Sequence, residues 1–181
     1  IADDVLRDLY VRGKYRDVIL PMVVLRRLDA VLEPTKPAVL EMKALLDQQG
    51  IVNQESALCQ AAEQAFYNAS PFTLADLQSR KSKQQLSSDF EAYLDGFSSN
   101  VQEILENFEF RNQIPRLSKA DALGTLINKF MSRDVNLSNR PVLGDDGSVR
   151  VPALDNHAMG TVFEELVRRF KLKRGHHIVG K

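Results

Sequence analysis

The sequence contains little of what disulfide scaffolds and membrane proteins need. Its 181 residues include one cysteine, three histidines and no tryptophan. A single cysteine excludes a disulfide framework within the chain and fits a reducing compartment. Cys59 lies in an alanine-rich helical pattern, where a small buried residue is a better interpretation than a nucleophile. No apolar run reaches the roughly 20 residues that span a bilayer, and we expect no signal peptide. We also expect a cytoplasmic protein with no membrane partner.

Motifs for phosphate or metal binding are also missing. Neither G-x-G-x-x-G nor G-x-x-x-x-G-K-[ST] occurs in the sequence. His176 and His177 are adjacent and lack further converging ligands, so we do not expect them to hold zinc. Asp145 and Asp146 precede Gly147, and a turn explains their carboxylates better than a metal or acid–base role.

Charge is balanced over the chain but unevenly distributed. With 24 basic against 24 acidic residues, net charge indicates no particular partner. Between positions 7 and 27, Asp8 and Asp17 are outnumbered by six cations: Arg7, Arg12, Lys14, Arg16, Arg26 and Arg27. Such a stretch could follow a phosphate backbone, where each contact releases counterions. Alternatively, these cations pair with the acidic segment 89–109 or are simply solvated.

The densest apolar content lies between Tyr15 and Glu33. Apolar residues recur there at three- and four-residue steps, which predicts a helix with one broad buried stripe. Neighbouring helices must cover this stripe. Pro21 lies inside the pattern, where it removes one backbone donor and clashes with the carbonyl four residues earlier. The helix therefore either begins near Pro21 or kinks there.

Periodicity and capping residues predict further helices on both sides. The predicted segments are Ile1–Val11 ended by Gly13, a helix capped by Thr35 and stopped by Gly50, Gln54–Tyr67, one or two turns over Thr73–Gln78, Leu86–Phe97, a helix capped by Asn100 and ending near Phe108, a helix after a Ser118–Asp121 capping box, and Met159–Phe170 capped by Asp155 or Asn156. Residues 136–156 indicate an irregular loop or a small hairpin. The fold class is therefore all-α, a multi-helix bundle of about eight or nine helices.

Three stretches together resemble a known family. They are YRDVILPMVVLRRLDAVLEPTK at 15–36, FSSNVQEILENFEFRNQIPRL at 97–117 and VRVPALDNHAMGTVFEELVRRF at 149–170. They are similar to the N-terminal helical domain of the modification (methyltransferase) subunit of Type I restriction-modification systems. The resemblance runs from residue 1 to about 170. Residues 171–181 depart from the family pattern, and we expect them to form a divergent, disordered tail, frayed or foreign in origin.

The resemblance implies a function that belongs to a longer subunit. Family members transfer a methyl group from S-adenosylmethionine to the N6 of adenine in DNA, using a catalytic domain that follows this one. That domain has an F-x-G-x-G cofactor loop and an N-P-P-[FY] motif, and neither occurs in this sequence. We therefore expect the catalytic domain to be absent and the chain alone to be inactive. It should have no catalytic, cofactor-binding or metal-binding residue, and S-adenosylmethionine is expected only for the full-length subunit.

The resemblance also implies partners. The family's N-terminal domain is thought to help close the assembly around a DNA duplex. It is also thought to contact the specificity subunit and a second methyltransferase subunit, and a restriction subunit joins the full complex. The residues we predict to contact DNA are Arg12, Lys14, Tyr15, Arg16, Arg26 and Arg27. Docking to protein alone, with these arginines in ion pairs, is the alternative.

Overall fold

A computed structural model describes residues 1–10 and 14–175, and their regular secondary structure is almost entirely helical. The α-helices are α1 (Ala2–Leu6), α2 (Arg16–Leu32), α3 (Lys36–Gln48), α4 (Glu55–Ala62), α5 (Leu74–Gln78), α6 (Lys83–Asp95), α7 (Ser99–Asn107), α8 (Ile114–Lys119), α9 (Leu123–Phe130) and α10 (Asn156–Gly175). Short 3-10 helices cover Glu33–Thr35 and Phe110–Gln113, and two strands, β1 (Val142–Leu143) and β2 (Val149–Val151), form one small sheet. The predicted all-α fold class is confirmed. The first helix ends at Leu6, earlier than predicted, and positions 11–13 lie outside the described residues.

Helix α2 lies at the centre of the hydrophobic core. Its apolar stripe is fully enclosed, with Val18, Met22 and Leu25 all at 0% exposure. The helix runs through Pro21, so the predicted alternative of a start at that proline is wrong. Pro21 lies in the second turn, where the hydrogen bond that it cannot make is the one to the carbonyl of Asp17. Burial of the stripe outweighs this local loss.

Aromatic side chains from α6, from the turn after it and from the 3-10 helix Phe110–Gln113 pack together in the core. The ring centroids of Phe90 and Phe110 lie 6.0 Å apart at 87°, and those of Tyr93 and Phe97 lie 5.1 Å apart at 70°. Edge-to-face pairs of this kind add about 0.5–1.5 kcal/mol each beyond the area they bury. The helical spacing of these aromatics therefore places α6 against the centre of the bundle.

Helices α3 and α4 pack against each other. As predicted, Thr35 occupies the N-cap position of α3, but its hydroxyl donates to the carbonyls of Leu32 and Ala62 instead of capping the helix. Gly50 ends α3 as predicted. It has φ +70°, and the amides of Gly50 and Ile51 donate back into the last turn at 3.1 and 3.0 Å, a Schellman motif.

Two predicted caps are wrong. Asn100 is not the cap of α7, because that helix begins at Ser99 with Ser98 in the N-cap position. The predicted Ser118–Asp121 capping box does not form, because Ser118 belongs to α8, which has a proline in its first turn. Asp121 instead adopts φ +57° in the turn before α9. The residue pair fits a capping box, but α8 extends to Lys119 and therefore includes Ser118.

Thr73 forms a complete capping box with Asp76, whose carboxylate accepts from the Thr73 amide at 2.8 Å. The short helix α5 therefore begins at a well-defined point. Before it, the chain passes very close to the end of α6. A Cβ on Gly96 would lie 2.4 Å from the amide nitrogen of Ser70. The amide of Ala69 donates to the Gly96 carbonyl at 2.8 Å, so glycine permits a direct backbone contact here.

The predicted hairpin is confirmed. Strands β1 and β2 are antiparallel, with Leu143 opposite Val149. Asp146 forms the predicted turn by accepting from the amide and hydroxyl of Ser148, and these bonds lower the pKa of its carboxyl. Gly147, with φ +80°, supplies the left-handed residue that the turn requires. The turn thus accounts for the acidic pair without a metal.

Helix α10 returns to the bundle and packs on α2. Asp155 is its cap, since its carboxylate accepts from the amide of Ala158 at 2.7 Å. The backbone of α10 continues to Gly175. Positions 176–181 lie outside the described residues, so the divergent tail, with His176 and His177, stays a prediction. Within the described chain, no helix is both long enough and apolar enough to cross a membrane.

Candidate functional site

The residues predicted to contact DNA lie in different environments. Lys14 is exposed, Arg16 is half-buried and Tyr15 is 2% exposed. The Nε of Arg16 lies 3.8 Å from a carboxylate oxygen of Asp17. Arg12 lies outside the described residues. This part of the predicted set therefore presents Lys14 and a weakly paired Arg16 to solvent.

Arg26 is turned toward neighbouring helices. Its Nε donates to the carbonyl of Phe130, at the end of α9, at 3.2 Å. A second guanidinium nitrogen lies 4.0 Å from the carboxylate of Asp29. A guanidinium held in this way links α2 to α9 and uses its Nε donor within the fold.

Arg27 is buried and fastens the connector between α9 and α10. Its guanidinium donates to the carbonyls of Leu137 and Leu154 at 3.0 and 2.6 Å and to the side chain of Asn156 at 2.9 Å. Burial lowers the pKa of Arg27, and the nearby carboxylate of Asp155 opposes this change. The Arg27 side chain of α2 thus holds both ends of the hairpin loop and the start of α10 together.

The alternative that the basic stretch pairs with the acidic segment 89–109 does not describe the ion pairs seen. Asp89 pairs with Arg80 at 2.6 Å, and Asp95 pairs with Arg111 at 2.9 Å. Both partners lie outside the basic stretch. Instead, Arg26 and Arg27 of α2 donate to backbone carbonyls. DNA contact by the predicted set stays a prediction, with Tyr15, Arg26 and Arg27 already engaged in the fold.

Asp29 is the centre of a buried polar cluster. Its carboxylate accepts from the amide of Leu74 at 3.1 Å and from the hydroxyl of Tyr93 at 3.0 Å. Burial raises the pKa of Asp29, while these two hydrogen bonds lower it. Burial also raises the pKa of Tyr93, and the adjacent carboxylate adds to that rise. Asp29 therefore ties α2 to the start of α5 and to α6.

Lys36 and Asn68 form the second part of this cluster. The Lys36 ammonium donates to the carbonyl and side-chain oxygens of Asn68 at 3.2 and 2.8 Å. Asn68 in turn donates to the backbone carbonyl of Tyr93 and accepts from Ser70. Burial lowers the pKa of Lys36 to about 8, and the charge of Asp29 opposes this shift. A lysine with such a pKa could act as a base or nucleophile, but this one is 8% exposed.

The hydrogen-bonding groups of this cluster are satisfied within the protein. In the part of the chain that the structure describes, every buried side-chain nitrogen and oxygen has a hydrogen-bond partner. A catalytic base needs a lone pair or proton available to a substrate. The lysine, carboxylate and amide of this cluster instead satisfy one another at the junction of α2, α3, α5 and α6. Their arrangement supports a structural role.

An open cavity of about 540 Å³ lies beside this junction, between the loop after α3, the start of α4 and the end of α6. Its lining includes Lys43, Val52, Glu55, Tyr67 and Asp95. None of the residues that line it is a histidine or cysteine. Val52 stands 94% exposed at its edge. This mixture of carboxylates and one exposed apolar side chain is better suited to contact with another surface than to catalysis.

Other chemical candidates are weak. Cys59 is partly buried, and burial together with Glu55 raises its pKa, so the reactive thiolate is disfavoured. Among the described residues, no group of three or more His, Cys, Asp and Glu side chains could hold a metal ion.

Sequence reasoning missed the buried cluster of Asp29, Lys36 and Asn68. The signal for Asp29 was available, because it lies seven residues after Met22 on the apolar face of α2. A polar residue on a buried face needs a partner. Asn68 gave no such signal, since an asparagine three residues before Pro71 is typical of a turn.

The family comparison covers most of the chain. A family model described as the HsdM N-terminal domain matches residues 1–130. The matched range includes α1 to α9, together with the buried cluster, and ends before the hairpin and α10. No curated protein matches the chain, and no solved structure matches it. Since the matched range exceeds half of the sequence, the chain belongs to the HsdM N-terminal domain family, the N-terminal domain of the modification subunit of Type I restriction-modification systems.

Proposed function

We propose that this chain is an accessory module of a Type I adenine-N6 DNA methyltransferase subunit, which helps to hold the DNA duplex and to contact neighbouring subunits. The match to the HsdM N-terminal domain over residues 1–130 carries this proposal. A methyltransferase must turn its target base out of the duplex, at a cost of a few kcal/mol. Contacts from an accessory domain to the backbone would offset that cost without adding sequence choice. S-adenosylmethionine would be bound by the catalytic domain.

The environments of the predicted residues support a smaller set of DNA contacts. Lys14 is exposed and forms no ion pair among the described residues, and Arg16 is only weakly paired. Arg26 and Arg27 are held by backbone carbonyls. In the proposal, Lys14 and Arg16 contact phosphates, while Arg26 and Arg27 keep α2 in place.

Binding of a duplex at several salt concentrations tests the DNA part. Anisotropy of a labelled 30-base-pair duplex of arbitrary sequence would give the salt slope of log K. In the Lys14→Gln/Arg16→Gln variant the slope should become less steep by about 1.8, since each phosphate contact contributes about 0.9. The matched control is Lys43→Gln/Arg150→Gln, which removes two exposed cations that are paired with aspartates. No measurable duplex binding by the 181-residue chain at 50 mM salt would contradict the DNA part.

A second candidate function, docking to protein alone, is favoured by exposed apolar side chains at the end of α3 and in the loop after it. Leu45, Ile51 and Val52 are 47%, 40% and 94% exposed. Capture of the chain by a specificity subunit or a second methyltransferase subunit without DNA would support docking, and Val52→Asp should abolish that capture. A chain that binds duplex but is not retained by either subunit would exclude this candidate.

A further inference from the structure

The first turn of α6 and the end of α8 meet on the surface. The hydroxyl of Ser118 in α8 donates to the carbonyl of Lys83, the first residue of α6, at 3.4 Å. Arg116 and Lys119 lie within one turn of Ser118 on the same helix. All three cations are exposed. We call Lys83, Arg116 and Lys119 the α6–α8 basic surface.

The cations of this surface, like Lys14, have no acidic partner among the described residues. Elsewhere on the surface, Lys43 pairs with Asp47 at 2.7 Å and Arg150 pairs with Asp134 at 3.2 Å. Within the described residues, no ion pair involves any member of the α6–α8 basic surface. The nearest acid along the chain is Asp121, which is exposed and forms no ion pair either. No ion pair among the described residues therefore neutralises the positive potential of this surface.

Two further features strengthen the positive potential and fix its position. Lys83 is the first residue of a 13-residue helix, whose N-terminus contributes partial positive charge. The guanidinium of Arg116 lies 4.4 Å above the ring of Tyr10. The hydroxyl of Tyr10 donates to Gln113 at 2.9 Å, which holds the ring in place. Arg116 is thus pre-oriented while remaining exposed, and ordering it on a ligand would cost less entropy.

The surroundings favour a phosphate backbone over a protein partner. Protein interfaces have an apolar centre, but the exposed large apolar residues of the described chain lie in other places: Ile1, Leu45, Ile51, Val52, Ile104, Leu143 and Val149. Duplex DNA carries one charge per about 1.7 Å of its axis. Cations one helical turn apart, about 5 Å along α8, can therefore meet several phosphates at once.

We propose that the α6–α8 basic surface binds the phosphodiester backbone of a nucleic acid duplex. This inference rests on the proposed function and names a second contact surface for it, separate from Lys14 and Arg16. Because phosphates carry no base information, the contact adds affinity equally for all sequences.

The test compares two triple variants of the 181-residue chain by duplex anisotropy between 50 and 200 mM salt. The first is Lys83→Gln/Arg116→Gln/Lys119→Gln. The control is Lys43→Gln/Arg150→Gln/Arg168→Gln, which removes the same charge from cations that pair with acids. The salt slope should become less steep by about 2.7 in the first variant and by less than about 1 in the control. Circular dichroism establishes that both variants remain folded, and the single exposed change Lys119→Glu provides a second, independent loss of affinity.

The outcomes separate this inference from the proposed function. Salt-dependent binding by the wild-type chain with an unchanged slope in the first variant would overturn the inference and leave the proposed function standing. Equal losses in both variants would also overturn it, because net charge would then explain binding. Failure of the wild-type chain to bind duplex would overturn both. Tighter binding to polyglutamate than to duplex would assign the surface to an acidic protein partner.

Discussion

Replacing Arg27 by methionine should loosen the connector between α9 and α10. Methionine fills most of the space of the arginine stem but has no donor. The carbonyls of Leu137 and Leu154 would lose their guanidinium partner, and so would the side chain of Asn156. The helices of the core should remain, because none of their backbone hydrogen bonds depends on this side chain.

The size of the effect follows from those three bonds. A hydrogen bond to a charged group contributes about 1.5–3 kcal/mol, but Asn156 is exposed and water can replace its partner. Removing a buried charge also recovers part of its desolvation cost. We expect the free energy of unfolding to fall by about 3 kcal/mol, which lowers the Tm by roughly 6–12 °C for a chain of this size.

Urea unfolding and hydrogen exchange would measure the effect. Exchange should increase first in the amides at the start of α10, with the amides of α6 still protected. Arg150→Met is the control, because Arg150 is exposed and, among the described residues, its one ion pair is with Asp134, and it should cost less than 1 kcal/mol. A loss for Arg27→Met no larger than that of the control would refute the structural role. If duplex affinity then fell, Arg27 would be a DNA contact after all.

Two further predictions concern the junction of α2, α3 and α6. Because burial lowers the pKa of Lys36 to about 8 in the folded state, the unfolded chain holds this proton up to its ordinary pKa of 10.5 while the folded chain releases it. Stability from this group should therefore rise between pH 8 and pH 10, and urea titrations across that range should show the rise reduced in Lys36→Met; identical pH profiles would contradict the buried position. Gly96→Ala should lower the unfolding free energy by about 2 kcal/mol, because its Cβ would lie 2.4 Å from the Ser70 nitrogen. Gly160→Ala, at an open helical position, should instead stabilise by up to about 1 kcal/mol, and equal effects of the two alanines in thermal melts would remove the steric argument.

The helices were predictable because their signal is local. The three- and four-residue spacing of apolar residues identified α2, α6 and α10, and Asp146-Gly147 identified the hairpin turn. Caps were less predictable. Asn100 and Ser118 both have side chains that commonly cap helices, yet neither is a cap. Helix α7 already begins at Ser99, and α8 extends past Ser118. The sequence shows which side chains are able to cap a helix, and the packing of the helices decides which of them do.

The directions of the arginines could not be obtained from the sequence. The Arg27 guanidinium donates to the Leu137 carbonyl, 110 residues further along the chain. Nothing near Arg27 in the sequence reveals that acceptor. Charge alone suggested DNA, the acidic segment 89–109 or solvent as the partner of Arg26 and Arg27, whereas the fold supplied carbonyl groups for both. The buried ammonium of Lys36 was missed for the same reason, since its partner Asn68 comes from a distant turn.

The fastening of both ends of the hairpin loop to one guanidinium also bears on how the chain can vary. With Leu137 and Leu154 held to the same group, the residues between them form a loop closed at its base, which Arg140 also fastens to the carbonyl of Ala30. Each doubling of the length of such a loop raises the entropic cost of closing it by only about 0.6 kcal/mol. Insertions and deletions between these two leucines should therefore be tolerated far better than changes of length elsewhere in the domain.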